Sequence, residues 1–369
     1  MEEAFDPLVS VILPTFRRDY FLPCVLKALA SQSYKNFEVL VVLKPSGDNS
    51  EKVIQSQKKN LELRLFLQKQ GYISRGFNIG LRNAKGSIIV FTEDDTIPPR
   101  DFIEKHVKEY TQNHNLGGLT GECVYFVNEN LAARKTDCSV SRVFRQDKYR
   151  DIISNTFRSL GRPINWVLDR STKGFENYDV GLSISGKIFG RPQTNKSKSI
   201  NFWAGNMSFR REAIRELYVY EDSLNPYRFE AFLATVAVLR GFEVCEYNGC
   251  GPFNYHIFGD YASQVPRRGG DWFKVFQIKF EEYLLFYRIK RLGLKLSWFA
   301  FISRCMSNFI YFAIKLRDSK SYVGALLALI LVHFYGIFVL MRRGFMYSSV
   351  FSDNFLRLLK PLRLSFKKS

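Results

Sequence analysis

The stretch "IIVFTEDDTIPP", residues 88–99, decides how the rest of the chain is interpreted. Its first four residues are apolar and indicate a buried strand, and three consecutive carboxylates follow at Glu93, Asp94 and Asp95. Adjacent carboxylates repel one another, and each is costly to remove from water. The cluster therefore needs a positive partner or open solvent. An ordinary acidic turn ahead of a helix at 98–110 is the competing interpretation.

Apolar runs alternate with segments of helical spacing over the first part of the chain. We predict strands at 8–14, 37–43, 63–67 and 87–92, and helices at 19–32, 49–60 and 74–84. Strands that alternate with helices predict βαβ units and a parallel sheet covered on both faces. Ligands of such sheets bind beyond the carboxyl ends of the strands, so the carboxylate cluster is expected to lie in a binding site.

The pattern changes after residue 115. We predict one strand at 117–127 and an irregular region at 128–200 that includes a loop, "RPQTNKSKS", at 191–199. The run "NFWAGNMSFRREAIREL" at 201–217 predicts a tight Gly-Asn turn that leads into a helix. A further helix followed by a strand is predicted within 227–247.

The composition points to a polyanionic partner. The 369 residues carry 54 Lys and Arg against 35 Asp and Glu, a formal net charge of +19. Such an excess is typical of chains that meet nucleic acid, an anionic membrane surface or a phosphorylated substrate. The six cysteines form no CxxC pair, and "MEEAFDPLVS" at 1–10 lacks the apolar segment of a signal peptide. Both features favour a reduced chain in the cytosol.

The end of the chain is rich in apolar residues. A Phe-rich amphipathic helix is predicted at 296–316, and the run at 322–341 has no charged residue and the length of a bilayer-spanning helix. Basic residues flank this run on both sides, so a single crossing would misplace one flank. We therefore favour a non-crossing arrangement, in which both segments lie in or dip into the membrane and the basic tail binds anionic headgroups.

Several motifs together resemble glycosyltransferase family 2, the inverting, nucleotide-sugar-dependent enzymes with the GT-A fold. They are Pro14-Thr15 at a strand end, "GYISRGFNIGLRNAKG" at 71–86, the strand that ends in the acidic triplet, and "WAGNMSFRREA" at 203–213. The resemblance covers roughly residues 8–270. It implies an α/β fold with a GT-A, Rossmann-like, mainly parallel sheet flanked by helices. The membrane-associating helices, amphipathic and hydrophobic, that are predicted beyond this sheet rest on the apolar pattern described above.

The resemblance also implies a division of the chain. Residues 1–270 would form the catalytic domain, with a nucleotide-sugar-binding half at 1–115 and an acceptor half at 116–270. Residues 271–369 would form the membrane-associating helical region with its basic tail.

A metal-dependent donor site follows from the same resemblance. Mn²⁺ or Mg²⁺ would be held by Asp95, the expected direct ligand, and by His256, for which a purely structural role is the alternative. The metal would clamp the donor diphosphate and stabilise charge on the leaving group. The residues expected to bind the donor are Pro14, Thr15, Arg17, Asp48, Arg75, Asn78, Glu93, Asp94, Arg267 and Arg268.

An inverting transfer needs a base that deprotonates the acceptor hydroxyl. The family places an acidic pair at the start of a helix twelve residues before a glycine. Counting back from Gly241 puts Phe229 at the first position and Glu230 at the second, which is the base. An ordinary glutamate in the first turn of a helix is the alternative. The acceptor site would use Trp203, Gly205 and Asn206.

The second strand departs from the family pattern. It should end in two aspartates, one of which reads the nucleobase, but Leu43 and Lys44 stand there. UDP, GDP and dTDP sugars therefore all remain possible donors. The acceptor is expected to be a lipid-linked or growing glycan, and the enzyme is expected at the cytoplasmic face of the cell membrane, because nucleotide sugars are made in the cytosol.

Two other functions are alternatives for this sequence. A nucleotidyltransferase shares a related α/β core, but it usually carries a glycine-rich phosphate loop, and "PTFRRDYF" at 14–21 has no glycine. A non-enzymatic basic protein that binds nucleic acid is the second alternative. The positive charge is spread along the chain and an acidic cluster occupies the expected pocket, so nucleic acid is not an expected partner.

Overall fold

The computed structural model describes residues 6–127, 142–144, 170–215, 228–257, 284–290, 292–305 and 330. The strands are β1 (Val9–Thr15), β2 (Phe37–Leu43), β3 (Leu63–Leu67), β4 (Ile88–Phe91), β5 (Thr96–Ile97), β6 (Leu116–Thr120), β7 (Glu122–Val127), β8 (Arg142–Phe144), β9 (Val180–Leu182), β10 (Ile188–Gly190), β11 (Lys196–Lys198), β12 (Met207–Arg210), β13 (Glu243–Tyr247) and β14 (Phe253–Ile257). The helices are α1 (Leu22–Ala30), α2 (Ser50–Gln57), α3 (Ile73–Asn83), α4 (Phe102–Gln112) and α5 (Phe229–Leu239), and two 3₁₀ turns cover Ala204–Asn206 and Glu212–Ile214.

The largest sheet has eight strands in the order β11-β13-β6-β12-β4-β1-β2-β3. Strand β1 pairs in parallel with both β2 and β4, as the alternating pattern predicts. Its side chains serve two cores, because Val11 and Leu13 pack with α1 on one face while Ile12 packs with Phe77 of α3 on the other. Burial on both faces explains why these strands are continuous apolar runs.

Strand β12 corrects the predicted helix at 201–217. The Gly-Asn turn is present, but Met207–Arg210 then forms a strand that is antiparallel to both β4 and β6. Met207 and Phe209 enter the hydrophobic core, while the buried Ser208 between them faces the opposite side of the sheet. This two-residue period is that of a strand, and its partners on both sides outweigh the local helical tendency.

The predicted strand at 117–127 is two strands in two sheets. It breaks at Gly121, where an added Cβ would lie 1.8 Å from the Pro252 carbonyl oxygen. Beyond the break the chain enters a four-stranded sheet with the order β5-β14-β7-β8. In this sheet β14 pairs with β5, so that His256 lies opposite Thr96. The second sheet therefore carries His256 to the carboxyl end of β4.

Two further expectations need correction. The predicted loop at 191–199 contains β11, which pairs antiparallel with β13 at the edge of the large sheet and forms a Lys198–Glu243 ion pair. The chain is also not wholly reduced, because Cys24 is disulfide-bonded in the structure.

Residues 284–290 and 298–305 are helical and pack into the hydrophobic core. Phe286 and Phe301 stack with ring centroids 4.0 Å apart and share a hydrophobic cluster with α5. This cluster includes residues on both sides of the predicted domain boundary at 270, and the boundary itself stays a prediction. Among the described residues, no helix is both long and apolar enough to span a bilayer. Apart from residue 330, the segment at 322–341 and the basic tail lie outside the described residues.

Candidate active site

Asp94, the middle residue of the acidic triplet, makes contacts within the protein through both of its carboxylate oxygens. One of its oxygens, Oδ2, accepts a hydrogen bond of 3.1 Å from the backbone N–H of Phe16, and the other, Oδ1, lies 3.5 Å from Nε of Arg18. Burial raises the pKa of Asp94 to about 7, and nearby Asp95 adds to this rise while Arg18 opposes it. With both oxygens engaged, Asp94 links the end of β4 to the segment after β1.

Arg18 supplies the positive charge that the acidic triplet requires. Its side chain is 10% exposed, and the guanidinium lies between two carboxylates, with Nη2 donating to Oδ2 of Asp95 at 3.4 Å. Burial lowers its pKa, but Asp94 and Asp95 outweigh that effect and raise it overall. The sequence predicted Arg17 as a donor-binding residue and did not single out Arg18, although the two arginines are neighbours in "PTFRR".

Arg17 lies outside this cluster. It is exposed, and its guanidinium carbon is 5.0 Å from the centroid of the Phe16 ring. Its φ of 59° is in the left-handed region, which non-glycine residues rarely adopt. The turn at Arg17 directs the following residue, Arg18, back toward the end of β4.

Glu93, Asp95 and His256 form a group that could hold a metal ion. Their nearest ligand atoms all lie within 4.8 Å of one another. Nε2 of His256 is 3.5 Å from Oδ1 of Asp95 and 3.7 Å from Oε2 of Glu93. Atoms bound to one ion at about 2.1 Å are at most about 4.2 Å apart, so these two distances fit a shared ion. Two carboxylates, an imidazole and donor phosphates suit a divalent cation.

The two oxygens of Asp95 face different partners. Oδ2 faces Arg18, whereas Oδ1 faces His256. Glu93 is the second carboxylate of the group, although the sequence analysis assigned it to the donor sugar. Gly205 lies directly beside it, since a Cβ there would meet Oε2 of Glu93 at 3.0 Å. The glycine thus leaves room for the Glu93 side chain.

Glu230 is in the first turn of α5 and is partly exposed. Burial raises its pKa from the usual 4.5 to about 8, and the charge of Glu93 contributes to the rise. The residue at the N-cap, Arg228, has a φ of 64°. Among the described residues other than glycine, only Arg17 and Arg228 have a positive φ, and both border this site. Phe229 anchors the helix start on Phe77, with ring centroids 5.1 Å apart.

Asn206 lies beneath the site rather than at its surface. It is 0% exposed, and its Nδ2 donates to the carbonyls of Glu122 and Pro252. Oδ1 must therefore accept from Nε2–H of His106, at 3.1 Å. His106 Nδ1 then accepts from Ser208, 2.8 Å away. These bonds give the Asn206 side chain a positioning role, and the expected part of Asn206 in the acceptor site stays a prediction.

Three predicted donor residues have structural contacts of their own. Pro14 is buried against α3, since a Cβ on Gly76 would approach it to 3.1 Å. Thr15 is buried at the end of β1, where its hydroxyl lies close enough to Asp94 to oppose the rise in the pKa of that carboxyl. Asp48 accepts hydrogen bonds from the backbone and hydroxyl of Ser50 and so stabilises the turn just before α2.

The remaining predicted residues are distributed as follows. Arg75 and Asn78 lie on α3, where Asn78 is buried and Arg75 packs across Gly71. Trp203 is half-buried, and its backbone N–H donates to Thr120 Oγ1 at 3.1 Å. Arg267 and Arg268 lie outside the described residues.

Lys44 is at the end of β2, where the family pattern has an acidic residue. Its Nζ donates to the carbonyl of Gly71 at 2.6 Å and lies 5.3 Å and 5.9 Å from the ring centroids of Phe16 and Tyr72. A lysine between two aromatic rings thus occupies the strand end beside the acidic group.

The fold and the site together define an α/β enzyme class that binds phosphorylated donors at the carboxyl ends of its strands. The model of "Glycosyl transferase family 2" matches residues 10–218, more than half of the chain. The chain belongs to glycosyltransferase family 2, as the sequence motifs indicated.

Individual relatives are more distant. Glycosyltransferase AglE of Haloferax volcanii is 32% identical over 194 residues, which cover 46% of this chain and 63% of AglE. The Campylobacter jejuni GalNAc(5)-diNAcBac-PP-undecaprenol beta-1,3-glucosyltransferase is 36% identical over 93 residues, 24% of this chain and 30% of that enzyme. Eight such relatives are matched over only 16–63% of their own length. The crystal structure of S. aureus TarS with UDP-GlcNAc superposes with a TM-score of 0.50 at 16% identity, covering 88% of this chain and 81% of TarS, and shares the fold.

Proposed function

We propose that this protein transfers a sugar from a nucleotide diphospho-sugar to an acceptor hydroxyl, with inversion at the anomeric carbon and with a divalent metal ion. One observation carries the proposal: Glu93, Asp95 and His256 converge at the carboxyl end of β4, beside the partly exposed Glu230. The transfer needs a metal ion that stabilises the leaving group and a base that deprotonates the acceptor, and these residues would supply both.

Glu93, Asp95 and His256 would hold Mn²⁺ or Mg²⁺. When bound, such an ion neutralises the donor diphosphate and stabilises the charge that develops on the leaving nucleoside diphosphate. Asp95 also has a second role, because its other oxygen is held by Arg18. Arg18 and the backbone of Phe16 keep Asp94 and Asp95 in place, so the ligands are oriented before the donor arrives.

Glu230 would take the proton from the acceptor hydroxyl. A base works best when its pKa lies near the operating pH, and the value of about 8 for Glu230 meets this condition. Glu93 helps to raise it, so neutralising Glu93 with a cation would lower the pKa of Glu230 and leave the base more fully ionised.

The donor nucleobase would lie near the ends of β1 and β2, beside Phe16, Lys44 and Tyr72. UDP, GDP and dTDP sugars remain the candidates. We propose a lipid-linked glycan as the acceptor, because the Campylobacter relative is named for an undecaprenol-linked substrate. Such an acceptor would place the enzyme at the cytoplasmic face of the cell membrane.

The test is release of free nucleoside diphosphate from a panel of UDP, GDP and dTDP sugars, with Mn²⁺ or Mg²⁺ and a polyprenyl-linked glycan acceptor. We expect metal-dependent release with one donor class and an acceptor product of inverted anomeric configuration. Retained configuration, or full activity in EDTA, would overturn the mechanism. Formation of inorganic diphosphate from a nucleoside triphosphate and a sugar phosphate would instead establish a nucleotidyltransferase.

A further inference from the structure

An apolar surface lies on the helical region that follows the catalytic sheet. It consists of Leu292, Trp298, Phe299 and Ile302, which we call the apolar face. Phe299 is 80% exposed, and each of the other three is more than a third exposed. Single exposed apolar residues are common on proteins, but a contiguous group that includes two large aromatic rings indicates a binding surface.

The helix at 298–305 is apolar on both of its sides. Ala300, Phe301 and Cys305 are buried on the side that faces the protein, while Trp298, Phe299 and Ile302 span about 100° of the outer side at the helical period. A helix on the surface of a soluble protein normally has polar residues on its outer side. This outer side is therefore made for an apolar environment.

The apolar face is held in place by the fold. The Trp298 ring centroid lies 4.8 Å from that of Phe286, which is fully buried in the core. The backbone N–H of Ser297 donates to the carbonyl of Ile184 at 2.8 Å, and Nζ of Lys290 donates to the carbonyl of Leu296 at 3.0 Å. These contacts fasten the start of the helix, so the exposure of Phe299 does not result from a loose chain end.

The segment that carries the apolar face is basic. The sequence from 284 to 305 contains no Asp or Glu, although two glutamates stand just before it at 281–282, and its basic residues are Arg288, Lys290, Arg291, Lys295 and Arg304. Nζ of Lys290 lies 5.7 Å from the Trp298 ring centroid, so positive charge borders the aromatic residues directly. An exposed apolar face bordered by cations is complementary to an anionic lipid surface.

We propose that the apolar face docks this protein onto an anionic bilayer, with Trp298, Phe299 and Ile302 entering the headgroup–acyl boundary and the basic residues contacting lipid phosphates. Tryptophan and phenylalanine suit this depth, and lysine and arginine can extend their charged ends toward the phosphates. The proposal does not rest on the catalytic assignment, and its test does not use glycosyl transfer. A second copy of this chain or a protein partner would be the other occupants of such a surface.

The test is co-sedimentation of the full chain with vesicles of phosphatidylcholine alone and with phosphatidylglycerol added. We expect binding to the anionic vesicles that weakens with salt. The F299D and I302D variants should each bind about tenfold more weakly or worse, because the lost apolar contact is joined by repulsion. L239D is the matched control, since Leu239 on α5 is 40% exposed and Ile302 is 39% exposed. The control should bind like the unmodified protein.

Equal binding by F299D, I302D and L239D would overturn the proposal and assign lipid binding to another part of the chain. Sedimentation equilibrium without lipid tests whether a second copy of the chain covers the apolar face. A dimer that the F299D substitution dissociates would also overturn the proposal. Folding of each variant is checked by thermal unfolding. As a second readout, lipids brominated near the headgroup should quench the fluorescence of the protein more strongly than that of W298F, which lacks only the proposed interfacial tryptophan.

Discussion

Replacing Glu230 by Gln should make the protein more stable and almost inactive. The substitution keeps the shape of the side chain and removes its charge. In the folded protein, burial raises the pKa of Glu230 from 4.5 to about 8. A carboxyl that is harder to ionise in the folded state binds its proton more tightly there than in the unfolded chain. Ionisation of Glu230 therefore lowers the free energy of unfolding progressively as the pH rises from about 4.5 toward 8.

The magnitude follows from this difference in pKa. Each pH unit between the two values costs about 1.4 kcal/mol, so the loss reaches roughly 3 kcal/mol at pH 7. Glu230 is partly exposed, which makes this figure a ceiling. The glutamine of E230Q does not titrate, so the variant should match the wild type near pH 4.5 and exceed it by up to about 3 kcal/mol at neutral pH. Transfer should fall by about a hundredfold to ten-thousandfold, because the base is gone.

Urea unfolding at a series of pH values, in EDTA so that no cation contributes, measures the stability difference. E62Q is the matched control, since Glu62 is exposed and lies on the segment before β3. It should change neither stability nor transfer. In the wild type with metal present, kcat/KM should rise with pH through a pKa below about 8 and then level off, because only the ionised carboxyl accepts a proton and the cation lowers its pKa. A stability difference that does not vary with pH, or an E230Q variant with normal turnover, would refute the reasoning.

Three further perturbations test the groups around Glu230. Asp95→Asn should weaken Mn²⁺ binding, measured by calorimetry, about a hundredfold or more. The control variant Asp101→Asn, at the start of α4, should bind Mn²⁺ like the wild type, and equal affinities of the two variants would show that Asp95 is not a metal ligand. Arg18→Met should lower the unfolding free energy by about 3–5 kcal/mol in metal-free buffer, and Mn²⁺ should restore part of it; an unchanged denaturation midpoint would show that the carboxylates need no buried cation. Asn206→Ala should cost about 2–4 kcal/mol in thermal unfolding, because Nε2–H of His106 and the carbonyls of Glu122 and Pro252 each lose the bond to this side chain; a neutral result would contradict the positioning role.

The first half of the fold was predictable because its signals are local. Strands β2 and β3 have the predicted bounds, 37–43 and 63–67, and β1 and β4 differ from prediction by one residue at each end. Strands buried on both faces are continuous apolar runs, and the helices between them have a regular period. These patterns do not depend on distant partners.

The second half depends on contacts between distant segments. Strand β12 is stable because β4 and β6 lie on either side of it, and both come from much earlier in the chain. The break at Gly121 exists because the Pro252 carbonyl approaches it closely. A single sequence shows neither partner, so the first was predicted as a helix and the second as an unbroken strand.

The candidate site shows the same limit. The acidic triplet was recognisable from its position at a strand end, while the roles of Asp95, His256 and Glu230 came from the family resemblance, and the structure brings Asp95 and His256 together with Glu93. The sequence did not indicate which of two neighbouring arginines meets the carboxylates. The answer depends on the left-handed backbone of Arg17, and a glycine is the usual signal for that conformation.

The position of β12 in the middle of the large sheet has a consequence for synthesis on the ribosome. When β4 has emerged, one of its edges pairs with β1, but the partner for its other edge is β12. About 115 residues separate the two strands, so at roughly 5–20 residues per second the open edge waits for about 6–23 seconds. Strand β6 waits as well, because its partners are β12 and β13. The nascent chain thus presents two unpaired apolar strands while it is being made, and these are the segments that a ribosome-associated chaperone would need to cover.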